Sequence, residues 1–367
     1  MIPVVNKPTL LLNVRKAKKN IIEMTQKAKA KGVRFRPHFK THQSREVGEW
    51  FKDVGVSAIT VSSMDMAWYF QKADWRDITI AIPCNPLLSK EIDQLAGHCH
   101  LNILVESPSV IDDLALFIEN EIGVWIEIDV GDLRTGVSWE DHTNLSMLHE
   151  SIIKREQFEF KGILTHAGQT YKASSPQQIW EVYKSSVERM NEVKTHLEAI
   201  GAYNIEISVG DTPSMSLVDD FGKVDEIRPG SFVFYDLTQV ALGAAREEDI
   251  AIGVACPVIA KNLDRGEIVV HGGAVHLSKE TLRLASGDLA FGKVAVFSES
   301  TWGASLEDVY VSNISQEHGV IKAPKEFIKG IKYGDVLVIL PVHSCLTANL
   351  FTKFQTLEGN FISSFHI

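Results

Sequence analysis

Long apolar runs are missing from this chain. None approaches the roughly 18 consecutive residues that a membrane-spanning helix needs, so no membrane partner is expected. The start, Met1-Ile2-Pro3-Val4-Val5-Asn6, has neither the basic nor the apolar stretch of a secretory signal, and a cytoplasmic protein is expected. Positive charge is in deficit: 37 Lys and Arg against 47 Asp and Glu leave a net charge of -10, which argues against nucleic acid as a partner. Cysteine is sparse. Cys84, Cys99, Cys256 and Cys345 are scattered with no Cys-x-x-Cys pair, the pattern of free thiols in a reducing compartment. No Gly-x-Gly-x-x-Gly marks a dinucleotide-binding unit, and no Gly-Lys-Ser/Thr marks a Walker loop. No low-complexity segment or long linker interrupts the 367 residues, which suffice for one or two domains with a large core.

What is present is an alternation. After a long amphipathic helical pattern, short β-branched runs at 33–36, 58–62, 77–82, 101–106, 124–129, 159–166, 205–209 and 226–234 alternate with helical patterns at 45–51, 64–72, 89–95, 110–119, around 144–154 and at 175–199. Many of the short runs are almost continuously apolar, as parallel strands buried on both faces are. Eight strands alternating with helices over about 230 residues predict an α/β fold, a TIM (β/α)8 barrel, with a doubly wound open sheet as the alternative. Beyond Asp236 the texture changes to short alternating runs at 251–258, 267–271, 292–297, 309–312 and 335–340, separated by turns such as Asp264-Arg265-Gly266 and Tyr333-Gly334-Asp335. That pattern predicts an antiparallel β domain. The expected division is a barrel over 8–238 and a β domain over 239–367, with residues 1–7 packing on the latter.

Catalytic groups of such a barrel sit at the carboxyl ends of its strands, and polar residues gather there. Lys40, in Arg36-Pro37-His38-Phe39-Lys40-Thr41-His42, follows the first strand. A lysine where a strand empties into a loop between two histidines is placed to lose its hydration and have its pKa lowered, as an amine that attacks a carbonyl requires. A surface lysine in a basic loop is the plain alternative. Asp129 and Arg134 follow the fifth strand, Thr165-His166-Ala167-Gly168-Gln169-Thr170-Tyr171 ends the sixth, Gly210-Asp211-Thr212-Pro213-Ser214 follows the seventh, and Arg228 lies in the eighth. The segment from Gly210 to Ser214 is the natural anion site: glycine allows close backbone approach, and the Thr212 and Ser214 hydroxyls donate. A phosphate site facing a desolvated lysine points to pyridoxal 5'-phosphate, its aldehyde on the lysine and its phosphate in the loop. Near the C-terminus, His343 and Cys345 follow an apolar strand. Residues two apart on a strand share a face, so imidazole and thiolate are expected to converge on one ion. A thiolate with an imidazole selects zinc over magnesium or calcium, and two protein ligands leave open positions for water and substrate. A buried thiol beside an unrelated histidine is the plain alternative.

With these motifs in place, the chain resembles the fold-type III pyridoxal-phosphate enzymes, and within them the D-serine dehydratase / D-threonine aldolase family, over nearly its whole length. Pro37-His38-Phe39-Lys40-Thr41-His42 is similar to the family's cofactor-lysine motif. Asp129-Val130-Gly131-Asp132-Leu133-Arg134-Thr135-Gly136 resembles the segment whose arginine supports the cofactor's phenolic oxygen. Gly162-Ile163-Leu164-Thr165-His166 resembles the strand whose histidine lies by the ring, Gly210-Asp211-Thr212-Pro213 the phosphate loop, and Arg228-Pro229-Gly230 the last barrel strand. Glu317-His318-Gly319 and Pro341-Val342-His343-Ser344-Cys345 resemble the β domain that separates this family from plain alanine racemases.

The resemblance implies a lyase dependent on pyridoxal phosphate and a divalent metal, Zn2+ with Mn2+ or Mg2+ as alternatives, acting on a small D-configured β-hydroxy amino acid. Lys40 would be catalytic. Lys40, Arg134, His166, Gln169, Tyr171, Gly210, Asp211, Thr212 and Arg228 would hold the cofactor, and His343 and Cys345 the metal. A cysteine as the second metal ligand favours dehydration and deamination, of the D-serine or 3-hydroxyaspartate type, to a 2-keto acid and ammonia. A D-threonine-type aldolase giving glycine and an aldehyde is the next reading, followed by an amino-acid racemase and a noncatalytic cofactor-binding protein. A homodimer is implied as well. One segment departs from the family: His271-Gly272-Gly273-Ala274-Val275-His276 stands where relatives often carry Asp-Ala-Gly and a lysine, and it leaves the substrate open.

Overall fold

The computed structural model describes residues 5–298 and 301–365. Two compact units divide the chain. One comprises Glu23–Lys40 and Phe51–Gly230; the other comprises the described residues through Ile22, Thr41–Trp50, and the described residues from Ser231 onward. Expected features at residues 1–4, 299–300 and 366–367 lie outside the described residues.

The first unit is the predicted parallel barrel. Its eight strands are Arg34–Phe35, Ala58–Val61, Asp77–Pro83, His100–Val105, Ile122–Asp129, Phe158–His166, Glu206–Gly210 and Glu226–Ile227, each hydrogen-bonded in parallel to the next except the first two. The last pairs with the first through Glu226↔Arg34 and Ile227↔Phe35, and a parallel bridge between His38 and Thr60 closes the ring between the first and second. Apolar side chains on both faces of these strands bury against the helices and into the barrel, as in Ile122–Asp129, where every residue but the last is buried. Helix starts follow local chemistry. Ser63, Asp141 and Ser175 each accept the amide three residues on, and Pro176 supplies a first-turn residue with no N–H to satisfy.

Two expected elements are shorter than the sequence suggests, and proline is the cause. The run 226–234 was expected to be one strand, but the ladder stops at Ile227, and the chain turns through Pro229-Gly230 into a short 3-10 turn, Ser231–Val233. Proline has no N–H for the ladder. Likewise Pro37 leaves the first strand only Arg34–Phe35.

The second unit holds a nine-stranded sheet. In spatial order the strands are Glu267–His271, His318–Lys322, Thr301–Ile314, Gly292–Ser298, Val336–Pro341, Ile252–Asn262, Thr9–Leu12, Lys353–Thr356 and Phe361–Ser363. It is antiparallel apart from one pair, Thr9–Leu12 with Lys353–Thr356. The N-terminal strand, which periodicity did not reveal, is thus an interior strand of this sheet, with Leu10 opposite Val254. Leu11, Leu237, Ile250, Ala255, Trp302, Val338 and Leu340 form its core, and Val5 packs against them.

Candidate active site

Lys40 is presented by a heavily anchored piece of backbone. The Phe39 amide donates to the Thr60 carbonyl at 2.8 Å, the His38 amide to the Pro229 carbonyl at 2.9 Å, and the Thr60 amide to the Pro37 carbonyl at 2.9 Å. Phe39 is wholly buried among Phe51, Phe70 and Trp75, with ring centroids 4.9, 5.0 and 5.1 Å away. Phe39 thus anchors the turn that carries Lys40, which is itself half-buried. Beside it the His38 imidazole takes the Lys40 amide on Nδ1 at 3.4 Å. Burial, then the Lys40 and Arg228 charges, hold His38 well below the usual histidine range, so it is neutral.

His166 ends the sixth strand with Nδ1 2.6 Å from the Gly210 carbonyl oxygen. A carbonyl only accepts, so Nδ1 carries the hydrogen and Nε2 keeps its lone pair. Burial, reinforced by Lys40, Arg134 and Arg228, pushes its pKa down to about 3. The site therefore pairs neutral imidazoles with surrounding cations, an environment suited to an anionic ligand.

Arg228 is held by a chain of buried polar groups that crosses the barrel. Asp77 accepts from Arg36 Nη1 at 2.5 Å, Arg36 Nε donates to Glu226 at 2.8 Å, Ser208 Oγ donates to Glu226 at 2.7 Å, and Arg228 Nε donates to Ser208 Oγ at 2.8 Å. Arg228 Nη2 also donates to the Thr165 carbonyl at 2.6 Å. Burial alone would raise the Glu226 pKa, but Arg36, Ser208 and Arg228 hold it below the usual value. Burial lowers Arg228 to about 10, which leaves it charged at neutral pH. A buried charge lacking partners costs several kcal/mol; here each link is paired, and the result is a rigid cation at the rim.

The segment after the seventh strand turns at Asp211 into the helix Thr212–Leu217. Gly210 sits in a crowded spot: a Cβ there would lie 3.0 Å from the Arg228 carbonyl oxygen and 3.1 Å from its Cβ, so the Arg228 backbone would have to give way. The Thr212 hydroxyl is buried with no hydrogen-bond partner among the described residues. The Ser214 hydroxyl makes no well-formed bond either, though it lies close enough to Asp211 to help hold its charge. Buried hydroxyls left this way cost about 1–3 kcal/mol each until something accepts from them, so the loop fits a phosphate. The Asp211 carboxyl is not aimed at an anion. Its Oδ1 accepts from the Ser214 amide at 2.7 Å and the Thr170 hydroxyl at 3.1 Å, so it caps the helix and shapes the loop.

Burial raises the Asp211 pKa from 3.8 to about 6. A carboxyl whose folded pKa is raised contributes most stability below its unfolded value and loses that contribution as pH rises through about 6. Asparagine caps a helix as well as aspartate. Asp211→Asn is therefore expected to raise Tm over wild type at pH 8, by up to about 3 kcal/mol of stability, with the gap closing toward pH 4. Thermal melts at the two pH values check this.

After the fifth strand, Asp129 Oδ1 accepts from the amides of Gly131 (2.8 Å) and Leu133 (3.1 Å), folding a tight loop that carries Arg134. Arg134 is exposed, 4.0 Å from Asp132. Gln169 donates to the Val130 carbonyl at 3.4 Å while its Oε1 is buried with no partner among the described residues. Tyr171 accepts the Thr212 amide at 3.3 Å, tying the sixth-strand turn to the phosphate loop. One residue went unnoticed in the sequence. Glu127 interrupts an apolar strand, is buried, accepts from Thr135 Oγ1 at 3.0 Å, and has a second oxygen with no partner among the described residues. Burial raises its pKa, opposed by Thr135, Arg134 and Arg228.

The second unit holds the expected metal ligands, by a different geometry. His343 and Cys345 do not share a strand face. The strand ends at Pro341, His343 is the N-cap of the short helix Ser344–Ala348, and Cys345 lies in its first turn. The two side chains still lie near each other, with Cys345 among the groups that raise the His343 pKa. Asp236, wholly buried, explains the arrangement. Its Oδ2 accepts from the Ser344 amide at 2.8 Å and the Ser344 hydroxyl at 3.0 Å and lies 3.3 Å from His343 Nδ1, while Oδ1 accepts from the Gln239 amide at 3.0 Å. Thr41, the residue after Lys40, places its hydroxyl 3.1 Å from Cys345 Sγ. Burial would lower the His343 pKa, but Asp236 and Cys345 raise it to about 10. An imidazole that attracts a proton this strongly sits where a cation is wanted, and a carboxylate–imidazole pair with a thiolate is a donor set that fits a divalent metal.

Two family models match the chain: "Alanine racemase, N-terminal domain" over residues 12–238 and "Putative serine dehydratase domain" over residues 251–357. The chain is similar to a D-threo-3-hydroxyaspartate dehydratase of Delftia sp. (strain HT23), with 29% identity covering 96% of this chain and 94% of the relative. It is also similar to a D-serine dehydratase of Dictyostelium discoideum, with 29% identity covering 98% and 96%. Among solved structures, a cysteine-to-alanine mutant of a D-threo-3-hydroxyaspartate dehydratase in its metal-free form superposes with a TM-score of 0.90 at 27% identity, covering 99% of this chain and 98% of that one.

Proposed function

We propose, from the premise that this chain belongs to the alanine racemase N-terminal domain family and carries a serine dehydratase domain behind it, that it is a lyase dependent on pyridoxal phosphate and a divalent metal. Its substrate is a D-configured β-hydroxy amino acid of the D-serine or 3-hydroxyaspartate type. Water leaves across Cα–Cβ, and hydrolysis of the resulting enamine yields a 2-keto acid and ammonia. The observation that carries this reading is the His343–Cys345 donor pair braced by Asp236, which an amino-acid racemase does not need.

When bound, the cofactor ring withdraws electrons from Cα, and the metal acts as a Lewis acid on the β-oxygen. Lys40 supplies the amine that attaches the cofactor and then a base for the α-proton. Thr212 and Ser214 would donate to the cofactor's phosphate, and Arg228 and Arg134 would supply positive charge to the bound anion. His166, held neutral with Nδ1 on Gly210, offers a flat apolar face without adding charge. Asp236 keeps the hydrogen on His343 Nδ1, which frees Nε2 for the ion, and the Thr41 hydroxyl stabilises the Cys345 thiolate. Zn2+ is the ion such a pair selects. A homodimer belongs to the same reading.

Incubation with D-serine, D-threonine and both 3-hydroxyaspartate diastereomers, with and without chelator, tests it. A keto acid and ammonia, lost on chelation, are expected. Glycine and an aldehyde would overturn the reading in favour of an aldolase. A second check concerns Asp236→Asn, which keeps an acceptor for His343 but removes the charge. Metal affinity should fall by about 10–100-fold while the visible band of the bound cofactor is unchanged; metal titration followed by absorbance reads both.

A further inference from the structure

Away from His343 and Cys345, three more donors meet in the second unit. His271 ends the strand Glu267–His271, His276 lies on the turn of helix Ala274–Leu277, and Glu317 sits in the hairpin turn before His318–Lys322. Glu317 Oε2 is 3.6 Å from His271 Nε2 and 4.0 Å from His276 Nε2, and one ligand atom from each residue lies within 4.8 Å of those of the other two. The two imidazoles stand nearly perpendicular, at 89°, with centroids 5.8 Å apart, and the Nε2 of each lies toward the Glu317 carboxylate.

Their convergence is built into the backbone. The Gly272 amide donates to the Glu317 carbonyl at 2.8 Å, and the Ala274 amide to the Ser315 carbonyl at 2.8 Å. No side chain fits at the crossing: a Cβ on Gly273 would lie 2.3 Å from the Ser315 carbonyl oxygen, and one on Gly272 would lie 2.3 Å from Cys256 Sγ. Two glycines thus bring the segment carrying both histidines against the turn carrying Glu317. Behind it, the His276 ring packs on Phe351 at 6.0 Å.

We propose that His271, His276 and Glu317 form a second divalent-metal site, of the zinc class, separate from His343 and Cys345. Two imidazoles and a carboxylate are the donor set of open, catalytic-type zinc sites, which leave a position for water or a ligand carboxylate. Tetrahedral zinc with bonds near 2.0–2.1 Å places its ligand atoms about 3.4 Å apart. The observed 3.6 and 4.0 Å are a small side-chain adjustment from that, and His271 and Glu317, 40% and 46% exposed, have room to make it. Burial keeps the His276 pKa below the ordinary value, so the ring is neutral, as a ligand must be. Binding through its Nε2 moves the ring hydrogen to Nδ1 and gives up the contact there with the Gly273 amide, which at 3.4 Å is weak.

The purified full-length protein, stripped with chelator, is titrated with Zn2+ by calorimetry, and bound metal is counted by elemental analysis. Wild type should take two equivalents per chain. Glu317→Gln and His271→Gln should each lose one or bind it at least about tenfold more weakly, and Cys345→Ala should retain one. Loading with Co2+ separates the sites: the thiolate site gives intense sulfur-to-metal charge transfer, and the sulfur-free site only weak visible bands, which survive in Cys345→Ala. A single equivalent in wild type, or Glu317→Gln and His271→Gln variants with native circular dichroism and wild-type zinc uptake, would overturn the proposal, leaving two ordinary histidine–carboxylate pairs.

Discussion

The Lys40→Ala protein should purify folded and without the visible absorption of a lysine-bound cofactor. Stability is not expected to suffer, because the substitution leaves the anchors of this turn in place. Phe39 fills the socket of Phe51, Phe70 and Trp75, and the bonds from His38 and Phe39 to Pro229 and Thr60 involve only backbone atoms. On the proposed reading, the substitution removes the amine that attaches the cofactor and takes the α-proton. General-base catalysis alone contributes about 10²–10⁴-fold, so turnover should fall by about 10³-fold or more. Cofactor added to the mutant should still bind reversibly through Thr212, Ser214 and Arg228, seen as quenching of protein fluorescence without the lysine-bound band. Borohydride reduction of wild type followed by peptide mapping should place the label on Lys40. Persistence of the band in Lys40→Ala, or a label on another lysine, would refute the assignment.

The barrel was legible because its signal is local. A run such as Ile122–Asp129 is apolar on both faces save for Glu127 and Asp129 near its end, as a doubly covered strand is, and residues such as Ser63 and Ser175 announce helix starts within three residues. The rim residues followed from those strand ends. What stayed hidden depends on partners far along the chain. Thr9–Leu12 reads as a short apolar run beside a helix, and only its pairing with Ile252–Asn262 makes it an interior strand. Asp236 looks like a linker aspartate until Ser344, 108 residues later, closes on it. Glu127 reads as a flaw in an apolar strand, and its meaning lies in the arginines around it. His343-x-Cys345 shows the reverse case: a helix cap, rather than the shared strand face expected from the sequence, brings the two residues together.

Cys345→Ala should separate metal chemistry from cofactor chemistry. The thiolate is the softest donor in the pair, and its loss leaves His343 with Asp236 behind it, a set that binds zinc far less tightly. A Lewis acid is worth several kcal/mol when a hydroxyl must depart, and about 3 kcal/mol corresponds to about 10²-fold in rate. Elimination should therefore fall by about 10²-fold or more, and added chelator should have little further effect on the mutant. The groups proposed to hold the cofactor, among them His166, Thr212 and Arg228, all lie in the barrel unit. The visible band and its response to substrate should consequently persist, and exchange of the substrate α-hydrogen with deuterated solvent should continue after elimination has slowed, because that exchange needs Lys40 and the ring but no departure of the β-hydroxyl. Exchange without elimination is the signature to look for. If exchange is lost in parallel with turnover, Cys345 serves the architecture of the site rather than its metal; if both persist unchanged, the metal has no part in the reaction.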